Sequence, residues 1–503
     1  MDNLNPGQAQ SRFVSDSVDV WLIFPSAILS LLAIVLFIPL ELGVNVPAFI
    51  FAVYIAVFSY QGRAGSESDR GSIYLLLIVL VASLPFLLYD TSPFRILQFV
   101  LLIFFALFQV FTMYGCRYYK RLFSENWLFD ACNAVIFMPF ANFDALIRVL
   151  HAAPKRQGKL YAAGLAVSGM VAAPALTIFL SGAGRKSPAD CIWAGAGGIL
   201  FFILFTAYLY GFLYGCRHAR RTHILKKPDS RRLKRIPAPF IVAILSLLCI
   251  GCTVYIAAQA FYLVPALSGQ LEDAELAEYA RRGFLELCGV VLLNLAATAF
   301  AAVFTRTPEK KTQAVNGQVP RRTPSASPAV LTCIVALCVL SILLVVAAFL
   351  KMLLYMRAYG LTANRLITSW FMLGLALVCI IIIARAFSPR VRLIRSISIA
   401  AVAMFLLLCF ADCDYLALSY NRTAYVNGQL PGFDIDMLYD CGDSIVPVMI
   451  EVYENSSGQV REDAYRFLEH YRLSYDGSLG AVRSFNIASY NAHNKYTQWA
   501  GEN

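Results

Sequence analysis

Apolar runs of about 20 residues, almost free of charge, recur along the chain from Trp21 to Ala411. An α-helix of that length covers the roughly 30 Å hydrocarbon layer of a bilayer. Backbone amides in hydrocarbon must bond within their own segment, so each run reads as a helix rather than a strand. The composition agrees: 15% of residues are charged and 59% hydrophobic, where soluble domains carry about 25% charged residues. A water-soluble multidomain enzyme is excluded. The runs fall at 21–40, 44–60, 72–89, 94–114, 160–180, 192–214, 239–263, 283–304, 330–350, 366–387 and 396–411. They predict an all-α integral membrane protein with about eleven transmembrane helices, followed by a small, mainly helical lobe at 412–503.

The net charge of +11 would fit a nucleic-acid ligand, but Lys and Arg gather beside the apolar runs, as cytoplasmic loops of membrane proteins do. Arg217, Arg220, Arg221, Lys226, Lys227, Arg231, Arg232, Lys234 and Arg235 face a single acid, Asp229, in the loop 215–238. Nucleic acid is therefore not the expected partner, and membrane lipids are. Holding that loop in the cytoplasm puts residues 1–20 inside as well and leaves the acid-rich tail 412–503 outside the cytoplasm. A second inner segment, 305–329, is rich in Pro and has the composition of a flexible linker. The first residues include Asp16 and Asp19 and lack a basic start, so a cleaved signal peptide is not predicted. The stretch 127–150 is apolar but interrupted by Asn133, Pro139, Asn142 and Asp144. Its end predicts an interfacial helix at about 142–152, capped by Asn142, with Phe143, Leu146, Ile147 and Leu150 on one face; a re-entrant segment is the rival. Tyr114-Gly-Cys-Arg117 recurs as Tyr214-Gly-Cys-Arg217, a likeness short enough to arise by chance.

Polar side chains inside spans are costly and need a partner or a purpose. Tyr255, Gln259 and Tyr262 share one helix face toward the outer end of the seventh run. The eighth opens with Arg281, Arg282 and Glu286 and carries Asn294 and Thr298 further on. Lys351, Arg357 and Arg365 lie on the outer side against the usual charge bias. Mutual satisfaction across two packed helices explains the first two groups; docking of the acidic tail or contact with lipid phosphate explains the cations. The functional alternative is an outward-facing polar site at Tyr255, Gln259, Tyr262, Arg281, Arg282, Glu286, Asn294, Arg357 and Arg365, open to an anionic small molecule or a lipid headgroup.

In the tail, Ala464, Phe467, Leu468 and Tyr471 fall on one face of a predicted helix over 460–471, and Pro447 opens another to about Glu454. Asp434 and Asp436 lack the remaining ligands of a calcium loop. Cys413 and Cys441 could pair if the tail faces an oxidising space. The remaining Cys and the five His show no zinc or other metal spacing, and no cofactor motif stands out.

Three blocks resemble a known family. Tyr279-Ala-Arg-Arg-Gly-Phe-Leu-Glu-Leu287 with Leu293-Asn294, then Tyr359-Gly-Leu-Thr362 with Arg365-Leu366, then Tyr420-Asn421 ahead of Asp436 to Pro447 are similar in kind and order to bacterial multi-pass proteins of the domain-of-unknown-function 4173 (4153-like) family. The likeness covers roughly 240–495. Ala358 stands where an Arg is common there, and Asp443 to Pro447 carries an extra residue. The resemblance implies a bacterial cytoplasmic membrane and a shared fold, but brings no activity, substrate or cofactor.

Three functional classes follow. Many spans and outward polar faces favour a transport or lipid- and envelope-handling module. A sensor or scaffold, whose outer lobe binds a partner, is the alternative. A membrane-embedded enzyme comes third, because no convergent acid, base and nucleophile is visible; the sequence leans away from catalysis and sets no oligomeric state.

Overall fold

A computed structural model describes residues 16–38, 40–65, 69, 71–90, 95–117, 122–152, 156–182, 187–218, 236–267, 284–306, 327–430, 438, 441–474 and 483–502. Arg281, Arg282, Asp434, Asp436, Asp440, the loop beyond His218 as far as Arg235 and the linker 307–326 lie outside them.

Each apolar run is helical. The first group comprises α1 (Ser17–Phe37), α2 (Asn45–Ala64), α3 (Ser72–Ser83), α4 (Pro85–Leu88), α5 (Arg95–Met113), α6 (Trp127–Cys132), a π-helical turn (Asn133–Phe137), α7 (Met138–Ala141), α8 (Ala145–Ala152), α9 (Arg156–Leu180) and α10 (Pro188–Arg217). The second comprises α11 (Ala238–Leu267), α12 (Phe284–Phe304), α13 (Pro328–Tyr359) and α14 (Ala363–Phe387). Then come α15 (Leu393–Cys409), α16 (Cys413–Val426), α17 (Val446–Asn455), α18 (Gln459–Ser474) and α19 (Ile487–Glu502).

The predicted count of about eleven spans is not confirmed. Among the described residues, 8 helices are long and apolar enough to cross a bilayer, or up to 9 if α15 and α16, bent by 63° at their junction, form one span. The shortfall has local causes. Leu84–Pro85 divides one run into α3 and α4, and α15, at 17 residues, makes a full span only if α16 continues it.

Two apolar cores result. One runs through the first group, from Leu22 and Tyr60 to Phe111, Met138 and Tyr214. The other surrounds α13, which packs against α11, α12 and α14. The segment 127–152 lies against the end of α10, where a Cβ at Gly211 would meet the Pro139 carbonyl oxygen at 2.8 Å and one at Gly215 the Asn142 amide at 2.7 Å. Only glycine permits that approach. The predicted apolar face of this segment is shifted: Ala145 and Val149 are fully buried, whereas Ile147 is 59% exposed. Small Ala145 lets the turn sit close to its neighbours, and Arg148 pairs with Asp144 at 2.6 Å on the outside.

Contacts between the turns sort into two ends. At one, Asp16 meets Arg217, Asp69 meets Arg117, and Ile236 bonds to Phe304 and Arg306. At the other, Gly43 lies on Ser484, Gly442 on Asp90, and Leu361 on Asn421. Successive helices therefore run back and forth between an Arg217 end and a lobe end.

The lobe has its own core, with Ile445, Val446, Ala464, Phe467, Leu468 and Trp499 inside. It is fastened to both groups. Arg483 donates to the Val35 and Ile38 carbonyls at 2.9 and 2.8 Å, satisfying the end of α1. Asn421 accepts from Leu361 N at 2.6 Å and donates to Leu361 O at 2.8 Å. That use of its side-chain amide speaks against a glycan on the Asn421-Arg-Thr423 sequence.

Candidate functional site

The polar groups of the second group lie around α13. From Pro328 to Leu350 this helix carries no charged residue, and then Lys351 follows, 2% exposed. An ammonium on an apolar spanning helix is costly unless something answers it. Glu286, on the first turn of α12, supplies the negative field that Lys351 experiences, and acts on Tyr255 as well. Tyr255 is hydrogen-bonded to Gln259 one turn further along α11. The Gln259 Oε1 is buried without a hydrogen-bond partner, so α11 carries an open acceptor one turn from Tyr255. The structure thus brings Tyr255, Gln259 and Glu286 together, with Lys351 as the member that the site prediction omitted.

Asn294 belongs to a different layer. Eight residues beyond Glu286, about 12 Å along the helix, it is 2% exposed and donates to Ser341 Oγ at 3.0 Å and Cys252 Sγ at 3.3 Å. Thr298 Oγ1 donates to the Asn294 carbonyl at 2.9 Å. The bonds to Ser341 and Cys252 are satisfied interhelical bonds of the kind that hold spans together, worth about 0.6 to 2 kcal/mol each. Arg365 is engaged too. It donates to the Tyr359 and Gly360 carbonyls and lies 4.3 Å from the centre of the Tyr355 ring, closing the α13–α14 turn. Arg357 is exposed on the last turn of α13. Tyr262 is on α11, but its side chain, like Arg281 and Arg282, lies outside the description. Cys413 and Cys441 are both free thiols, Cys413 buried and Cys441 hydrogen-bonded to Asp414.

Among the described residues a dense polar constellation lies at the Arg217 end of the first group, where the sequence analysis proposed no site. Asp16 caps α1, accepting from the N–H groups of Val18 and Asp19 at 2.9 and 3.0 Å. Arg217 grips it with NH1 at 2.8 Å and NH2 at 2.6 Å, and this pairing holds the Asp16 carboxyl down at about 2. Asp19 is fully buried. It accepts from Arg217 at 2.7 Å and Tyr60 OH at 3.0 Å, and His218 Nε2 lies 3.0 Å away. Tyr210 OH donates to the Asp19 carbonyl at 3.1 Å. The seam continues along α1 and α10: Thr206 donates to Ser30 at 2.8 Å, and Ser30 to the Ser26 carbonyl at 2.8 Å.

The repeated tetrapeptides meet here. Cys116 Sγ donates to the Cys216 carbonyl at 3.1 Å, and Arg117 pairs with Asp69 at 2.5 Å as Arg217 pairs with Asp16. Burial would raise the Asp69 carboxyl, but the Gly71 N–H and Arg117 outweigh it and bring it down. The signal available in sequence was the coincidence of two Tyr-Gly-Cys-Arg turns with acids at the edges of other spans. Among the described residues, no group of three or more His, Cys, Asp or Glu is arranged to hold a metal ion.

Long apolar helices, charges confined to a few seams and two opposed ends define an all-α, multi-pass membrane protein. The family model described as Domain of unknown function (DUF4153) matches residues 75–452, and the chain belongs to that family. The match begins well before the 240–495 suggested by the sequence blocks, so it takes in much of the first group. No curated protein and no solved structure matches the chain.

Proposed function

We propose that this protein is a bacterial cytoplasmic-membrane module that binds an anionic solute or lipid headgroup and handles or moves it, through a polar site at the lobe end of the second group. In this reading the N-terminus is cytoplasmic and the lobe extracytoplasmic. The observation that carries it is Lys351: a buried ammonium on a spanning helix whose preceding 23 residues are uncharged, with Glu286 as the acid whose field reaches it and Gln259 Oε1 as an unpartnered buried acceptor on α11. Lys351 supplies charge attraction, the Tyr255 hydroxyl can donate to the anion, the open Gln259 Oε1 accepts from a hydroxyl or amine elsewhere on the ligand, and exposed Glu286 is the acid the ligand competes with for the ammonium. Exposed Arg357 adds attraction at the approach, whereas Arg365 is committed to the α13–α14 turn.

Native mass spectrometry of the full chain, released from nanodiscs of phosphatidylglycerol and phosphatidylethanolamine, tests this. Wild type is expected to retain an anionic lipid or solute that Lys351→Met loses and Lys351→Arg keeps. Retention of the same species by Lys351→Met contradicts the reading.

One observation favours the sensor or scaffold instead: Arg483 and Asn421 tie the lobe to both helical groups, so a partner on the lobe would pull on both. That alternative predicts a phenotype that survives Lys351→Met but not removal of the lobe.

A further inference from the structure

Along α10, Phe140 and Phe143 from the segment 127–152 face Gly197, Phe201, Leu204 and Phe205 across an open trough of about 800 Å³. Its lining is hydrocarbon and aromatic carbon. Tyr208 brings the one hydroxyl to the wall, and that hydroxyl is spent on the Val135 carbonyl at 2.8 Å. The trough therefore offers no polar recognition and suits a ligand portion with none.

Its position says what fills it. The helix α10 is one of the spans, and Phe140, Leu200 and Leu204 are 61%, 59% and 47% exposed along it, so the trough opens sideways toward hydrocarbon. An unfilled hollow there would forfeit dispersion contacts along its whole lining, and its size falls within the roughly 300 to 1,000 Å³ of ligand pockets. One wall follows directly on the π-helical turn, a distortion that tends to accompany binding sites. At the Arg217 end the wall changes character: Phe143 is followed by Asp144, whose pair with Arg148 lies at the surface.

We propose that this trough is a lipid site that holds an acyl chain of a membrane glycerophospholipid, with the phosphate end directed toward the Arg148 guanidinium. It lies along the middle of α10 in the first helical group and does not depend on the function proposed for Lys351. Chain length and saturation set its preference, because the trough grips only the hydrocarbon.

The test uses the full chain in liposomes containing phosphatidylglycerol with a photoactivatable diazirine on the acyl chain. Cross-links are expected in peptides spanning Phe201 to Phe205 at severalfold the yield on the flat outer face of α11, where Leu247, Ile250 and Val254 are 71%, 62% and 65% exposed. A side chain at Gly197 points into open space, so Gly197→Phe should fill the trough and abolish that excess while α11 is labelled as before. Leu204→Trp, which fills the trough from another position, should do the same. Equal labelling of the two faces in wild type, an excess that survives both substitutions, or cross-links to a second copy of the chain in place of lipid would overturn the site.

Discussion

The two helical groups answer the same problem differently. In the first, four candidate spans bury 44%, 44%, 56% and 33% of their apolar windows inside the protein, whereas in the second the four bury 17%, 33%, 39% and 22%. The first group closes on itself. Its charged side chains find each other across the chain, as Arg217 does with Asp16 and Asp19, and its main core joins α1, α2, α3, α5, the segment 127–152 and α10. The second is organised around α13, with bare apolar flanks on α11 and α14. Mutual polar bonds lock the first bundle, whereas the second buries an ammonium-bearing side chain, Lys351, on which the proposed site rests. The difference separates the fastened Asp19 network from the Lys351 site.

The largest expected effect belongs to the lock. Asp19→Ala leaves Arg217, His218 and Tyr60 without their shared acceptor, and breaking a buried ion pair costs about 3 to 5 kcal/mol. Thermal unfolding of the purified protein in detergent should show it as a fall in Tm. A variant that melts like wild type would remove the contrast between the groups. Asn294→Ala in the second group removes two hydrogen bonds and should cost less, about 0.6 to 2 kcal/mol per bond; a loss equal to that of Asp19→Ala would mean both groups are held alike. Lys351→Met should leave Tm unchanged or raise it slightly, because it removes a desolvated charge. A large fall would make Lys351 a structural strut instead of a site.

The smallest effect is on acid stability. The Asp16 carboxyl is lowered from 3.8 to about 2 by Arg217, so its contribution is present above pH 3.8 and is lost as pH falls toward 2. Asp16→Asn should flatten the melting curve's pH dependence within that window; an unchanged dependence would show that the Arg217 clamp is not formed in solution.

The spans were legible because a bilayer-sized apolar run needs no distant partner to be recognised, and the lobe helix carrying Ala464, Phe467, Leu468 and Tyr471 was legible for the same reason: its face is written at i, i+3 and i+4. The interruptions were harder. Pro85 splits a run whose composition stays apolar, and the face of α8 is set by how closely Ala145 can approach, which composition does not encode. The Asp19 network was invisible because its bonded members are up to 201 residues apart, and each alone reads as an ordinary edge residue. In the second group, one-face spacing did bring Tyr255 and Gln259 together, but helix spacing could not separate Asn294, whose bonds to Ser341 and Cys252 depend on which neighbour it faces.

The central claim is that the chain is threaded so that the lobe and the Arg217 end lie on opposite sides of the membrane. A membrane-impermeant maleimide tests it directly with two single substitutions at exposed positions, Ser457→Cys in the lobe and Arg390→Cys in the turn between α14 and α15. The account predicts that the first is labelled on intact cells and the second only after permeabilisation, each above the wild-type background. Labelling of Arg390→Cys on intact cells, or protection of Ser457→Cys until the cells are opened, would contradict it.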